Sequence, residues 1–181
     1  NQTYATNNGK VKFVMNHALT KIAIYVKNND NVSEKTITAF SIRGVKSGTL
    51  TFQSLDTDSK GFEWNYPSSV PMETFTTTIT NFSVPINSAT EKKLLSTFFL
   101  LPNGSGNTFN ITYKYTGANG TETIVLNNQP LPSSDKWKPG TLVSYIISID
   151  TKSGVSVTVN SNPAWGNGGA ETVDGSDIEA R

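Results

Sequence analysis

The sequence has no cysteine, one histidine, two methionines, and only 16% charged residues with a net charge of +1. Without cysteine there is no disulfide framework, no thiol nucleophile and no zinc–thiolate centre. One histidine cannot build the usual zinc sites, and a nucleophilic triad would have to use His17 as its base, with no G-x-S-x-G elbow to serve. No phosphate-binding loop or dinucleotide fingerprint is present. The balanced, sparse charge gives no basic stripe for nucleic acid and no acidic disordered chain. No apolar run approaches the roughly 20 residues that span a bilayer. Asn1 opens no signal peptide, so the chain reads as a mature or trimmed fragment.

What fills the space is Ser, Thr and Asn, about a third of the residues and well above ordinary usage. Thr suits strands, and Asn and Ser suit turns. Apolar alternation at period two recurs along the chain, in residues 35–45, 109–115, 143–149 and 155–159. The last two residue groups carry Val143, Tyr145, Ile147 and Ile149, then Val155, Val157 and Val159. Residues 117–120, Gly-Ala-Asn-Gly, read as a hairpin turn, and Trp137-Lys138-Pro139-Gly140 as another. In residues 35–45, Phe40 and Ile42 are expected on one face and Ile37 and Ala39 on the other. Residues 90–97 are the one plausible helical turn, and the run Phe98-Phe99-Leu100-Leu101 predicts a strand buried on both faces. The expected fold class is all-β: a two-sheet antiparallel sandwich of about seven to nine strands. Residues 1–165 form one domain on this reading, and residues 166–181 a Gly-rich acidic tail or donor-type extension.

The longest apolar-rich stretch is residues 11–26, VKFVMNHALTKIAIYV. Its strongest apolar face is odd-numbered before His17 (Val11, Phe13, Met15) and even-numbered after Thr20 (Ile22, Ile24, Val26). A regular strand cannot change parity without turning its core face to water. A bulge or corner is therefore predicted between Asn16 and Lys21, with Phe13, Ile22 and Ile24 buried. His17, Ala18 and Leu19 form this structural corner, and His17 reads as a partner of its irregular backbone.

Three other groups could carry function. Phe62, Trp64 and Tyr66 are evenly spaced, so an extended segment places them on one side. They are candidate glycan or partner contacts by stacking on sugar rings; the plainer reading plugs an end of the sandwich with at least one of them. Residues 56–61, DTDSKG, resemble the start of a calcium loop, but Lys60 and Pro67 stand where ligands belong, so a turn is expected. Glu171, Asp174, Asp177 and Glu179 read as a solvated tail. No catalytic residue, metal or cofactor is expected.

The pattern formed by Phe13, His17, Ala18, Leu19, Lys21, Ile22 and Val26 resembles the strand that opens the C-terminal domain of the fimbrillin-like (Mfa-like, type V pilus subunit) family of Bacteroides-type bacteria. Phe98-Phe99-Leu100-Leu101-Pro102-Asn103 is similar to that family's apolar strand ending in Pro and an amide. Trp137, Gly140 and Tyr145 are similar to its W-x-x-G-x-x-x-x-Y strand, and Val157, Val159 and Trp165 to its closing strand. The resemblance covers roughly residues 4–166 and implies a transthyretin-like Greek-key sandwich on an exported surface protein. It further implies a non-enzymatic structural or adhesive subunit of a fimbria at the cell surface or outer membrane. Such a subunit partners other pilus subunits by β-strand exchange, with host or glycan ligands as further candidates. The family's lipobox cysteine and N-terminal domain have no counterpart here, so the chain corresponds to a C-terminal domain or a short member. Its place as shaft, anchor or tip stays open, as does a role for residues 166–181 as a donor strand.

Overall fold

A computed structural model describes residues 16–52, 61–86, 91–117, 119–132, 136–150 and 154–162. These residues form eleven strands and no α-helix. One sheet runs in the order β11 (Val155–Asn162), β10 (Leu142–Ile149), β1 (Thr20–Asn28), β7 (Lys93–Leu100). The second runs β5 (Met72–Thr77), β2 (Lys35–Val45), β8 (Thr108–Gly117), β9 (Gly120–Pro130), and the short β6 (Phe82–Val84) also pairs with β2. A separate hairpin is made of β3 (Thr49–Phe52) and β4 (Phe62–Asn65).

The two large sheets share one core, because the inward residues of every central strand are apolar at period two. Ile22, Ile24 and Val26 of β1 are fully buried, as are Val143, Tyr145, Ile147 and Ile149 of β10. From the other sheet come Ile37, Phe40 and Ile42 of β2 and Phe109, Ile111 and Tyr113 of β8. Phe40 links the layers, with its ring centroid 5.9 Å from Phe109 and 6.1 Å from Phe98. Each such side chain contributes about 1.5–3 kcal/mol on leaving water.

The sandwich class is as expected, with several corrections. The strands number eleven among the described residues, not seven to nine, because residues 49–84 supply four short strands. Pairing is not wholly antiparallel: β1 and β10 run parallel from Lys21↔Leu142 to Asn28↔Ile149. Over a hundred residues separate them, ample for the crossover that parallel neighbours require. Residues 93–97 are strand, not helix, since Lys93 and Leu94 pair with Val26 and Tyr25. Pairing to β1 outweighs the mild helix preference of Glu, Lys and Leu. Finally, β7 is not buried on both faces: Phe98 and Leu100 point inward, but Phe99 is 53% exposed on the open outer face.

Bulges set the parity where simple alternation fails. In β2 the register with β8 jumps from Ile37↔Tyr113 to Ala39↔Thr112, leaving Thr38 as the extra residue. That returns Ile37 to the same buried face as Phe40 and Ile42, contrary to the alternation expected from sequence. In the β1–β7 pair the extra residue is Leu95 of β7, so the irregularity inside this pairing belongs to the neighbour and not to β1. Of the segment expected to be irregular, residues 16–19 are not strand, and β1 begins only at Thr20. Phe13 and the rest of residues 11–15 lie outside the described residues, as do residues 56–60 of the calcium-like loop, Trp165 and the acidic tail.

Candidate functional site

The two ends of β1 carry the polar chemistry of the fold. At its start, the corner turns Ala18 and Leu19 half inward and leaves His17 exposed. A corner frees backbone carbonyls from the sheet ladder, and these need donors. Leu19 O accepts from the Gly140 backbone at 2.9 Å, and Thr20 Oγ1 donates to Lys138 O at 2.9 Å. Ala18 O accepts from the indole Nε1 of Trp64 at 2.7 Å. Tyr66 donates its hydroxyl to Pro102 O at 2.6 Å. The Trp64 and Tyr66 rings stack with centroids 6.4 Å apart and planes 6° apart. A two-stranded hairpin is marginal by itself; these rings fasten β3–β4 to the sandwich. Gly48 is required beneath them, since a Cβ there would sit 2.7 Å from the Tyr66 ring.

The structure thus brings Trp64 and Tyr66 together and ties them to the corner. Phe62 is not part of this clamp. It pairs across the hairpin with Phe52, which is 80% exposed. The polar ends of both clamp rings are spent on their own chain. Burial also pushes the Tyr66 phenol up to about 12. Nearby, Trp137 Nε1 donates to Tyr145 Oη at 2.8 Å, and the Tyr145 hydroxyl donates in turn to Pro132 O at 3.1 Å.

At the other end of β1 the chemistry is ionic. Lys35 stands at a core-parity position of β2 and is fully buried. Its ammonium pairs with Asp30 and donates to Ser33 O (3.2 Å) and Ser33 Oγ (2.7 Å). It also lies 5.0 Å over the Tyr115 ring. Three donors meet three acceptors, so the buried charge is satisfied. Asp30 accepts in addition from the Val32 backbone at 2.8 Å. Buried Asn28 completes the brace: Nδ2 donates to Ser33 O at 2.9 Å and Oδ1 accepts from Asp30 N at 3.0 Å. The hydrogen bond from Lys35 holds the Asp30 carboxyl below its ordinary range, with burial opposing. Burial, together with the charges of Tyr115 and Asp30, raises the Tyr113 phenol to about 12. Sequence reading passed over this cluster because residues 27–34 look like a plain polar loop. The available signal was Lys35 itself, two residues before Ile37 on the apolar parity, with an aspartate five residues earlier.

Beside the brace lies a groove of about 580 Å³, within the roughly 300–1,000 Å³ of small-ligand sites. It runs between the braced loop, the residues after β6 and the β8–β9 hairpin. A smaller groove of about 280 Å³ opens on one flank of the sandwich, lined by Pro130, Pro132, Val155 and Val157. Among the described residues no group of three or more His, Cys, Asp or Glu could hold a metal ion. Nor is any helix among them long and apolar enough to cross a membrane.

No protein-family model matches the chain, and no curated protein matches it. Solved structures do. One is a "putative cell adhesion protein" of Parabacteroides distasonis, 11% identical over 81% of this chain and 52% of that one, at a TM-score of 0.51. A second, of the same description from Bacteroides uniformis, is 19% identical over 86% of this chain and 54% of that one, at a TM-score of 0.39. The chain spans about half the length of these structures. At such identities the likeness to the first is one of fold.

Proposed function

We propose that the chain is a non-enzymatic cell-surface subunit of the fimbrillin-like type, structural or adhesive, exported to the bacterial surface and assembling with other subunits by β-strand exchange. Supporting this are the motif resemblance, the fold likeness to a protein described as adhesive, and above all the open flank of the sandwich. There, among the described residues, β9 and β11 are both edge strands, with half-buried Ile124 and Leu126 on one and Val155, Val157 and Val159 on the other. An added strand would pair such a backbone edge and cover these side chains in one step. Saccharide stacking on Phe62, Trp64 and Tyr66 has no such support, since the clamp rings are engaged with their own chain.

The test is assembly of purified protein, with and without limited proteolysis, followed by gel filtration and electrophoresis without boiling. A ladder of multiples that Val157→Asp abolishes is the expected result. Protein that stays monomeric under all these conditions, or a ladder untouched by Val157→Asp, overturns the reading.

A further inference from the structure

We propose that the groove beside the Asp30–Lys35 brace is a binding site for a neutral saccharide. The inference deepens the adhesive reading above and rests on it for its setting.

The lining has the two chemistries that a sugar ring presents. One wall is aliphatic: Val32 is 80% exposed and Ile86 47% exposed, and both face the same groove. The floor is polar, with Thr36, Lys114 and Thr116. Neither the Lys114 ammonium nor the Thr36 hydroxyl meets a partner among the described residues, so both can turn to a ligand. Thr116 shares a hydroxyl contact of 3.1 Å with Thr121, and Glu34 has one oxygen engaged by Ser83 at 2.6 Å. One carboxylate and one ammonium cancel, which favours an uncharged ligand over an anion or a cation. Hydroxyls and C–H faces of a neutral sugar satisfy the polar floor and the aliphatic wall together.

The brace supplies the reason to expect function at this spot. Val32 itself stays exposed at the loop tip. Yet the loop that carries Val32 is fixed by a fully buried lysine, a buried asparagine and two turns of its own backbone onto Asp30 and Asn28. Rigidity of that kind lowers the ordering cost of binding, one of the costs that a ligand's contacts must offset.

The probe is an array of neutral and acidic oligosaccharides, followed by calorimetric titration of the strongest binder into gel-filtered monomer. Binding of neutral oligosaccharides is expected. Val32→Asp and Lys114→Ala should each weaken it by roughly tenfold, the loss of about one good contact. Val125→Asp, at an exposed aliphatic on β9 outside the groove, should leave it within about twofold. All three positions are exposed, so folding is not at stake. An array silent for the wild type, hits confined to acidic glycans, or groove variants that bind like the wild type would each overturn the proposal. Because monomer is titrated, failure to bind leaves assembly untouched, and failure to assemble leaves binding readable.

Discussion

The two ends of β1 solve one problem with opposite chemistries. At each end the chain leaves the sheet and exposes carbonyls that need donors. The Thr20 end uses neutral donors, the indole of Trp64 and the hydroxyls of Tyr66 and Thr20. The Asn28 end uses a buried ammonium, its carboxylate and an amide. Neutral donors on large rings add apolar area and make the cap insensitive to acid. A buried ion pair adds little net stability over an apolar substitute, but removing one partner strands the other. The two ends should therefore differ sharply in how they fail.

The largest effect is expected at the ionic end. Lys35→Ala leaves Asp30 and Ser33 without their common donor and should cost about 3–5 kcal/mol by urea unfolding. The double variant Lys35→Met with Asp30→Asn should recover much of that loss, because no charge is then stranded. Equal losses in the single and double variants would mean that the lysine acts by volume alone, and the contrast between the ends would collapse.

Acid should separate the ends next. Asp30 has its folded pKa depressed, so its contribution is present above the ordinary carboxylate range and is lost as pH falls through the lower folded value. Stability measured from pH 5 downward should decline with a slope that Asp30→Asn flattens, and Trp64→Phe should leave that slope unchanged. Alkali does not discriminate. Tyr66 and Tyr113 are both raised to about 12, so the stability each confers is present below pH 10 and fades as pH climbs toward 12.

At the aromatic end, Trp64→Phe removes the donor to Ala18 O but keeps most of the ring. The expected cost is about 1–1.5 kcal/mol in urea unfolding. Hydrogen exchange should show the loss concentrated in β3–β4 rather than across the sandwich, since the clamp fastens this hairpin to the sandwich. Uniform acceleration over both large sheets would show instead that the hairpin is integral to the core.

How much of this was legible in the sequence follows from the range of the forces. Period-two alternation is local, so the inward faces of β1, β8 and β10 could be read directly. The change of parity after His17 marked where β1 begins, since residues 16–19 are not strand. Thr38 and Leu95 were not legible, since a bulge is defined by a partner strand distant in sequence. The same holds for residues 93–97, whose helix-forming composition yields to pairing with Val26 and Tyr25. The even spacing of Phe62, Trp64 and Tyr66 is matched by the stacking of Trp64 on Tyr66. It could not reveal that Ala18 and Pro102 would claim two of the three. The Asn28–Asp30–Ser33–Lys35 brace hid inside a polar loop, although a lysine on core parity marks the place.

The smallest effect sharpens what distinguishes the ends. The aromatic end also has an ion pair, Lys46 with Glu73 at 3.7 Å, but both side chains are about half exposed. Glu73→Gln should change stability by no more than about 0–1 kcal/mol, and added salt should erase even that. The Lys35–Asp30 pair, with its lysine fully out of water, should keep most of its coupling in the same salt. A double-mutant cycle on each pair, run at low and high ionic strength, makes the comparison. If both couplings screened equally, burial of Lys35 would not be what sets the two ends apart, and the acid sensitivity assigned to the Asn28 end would lose its physical basis.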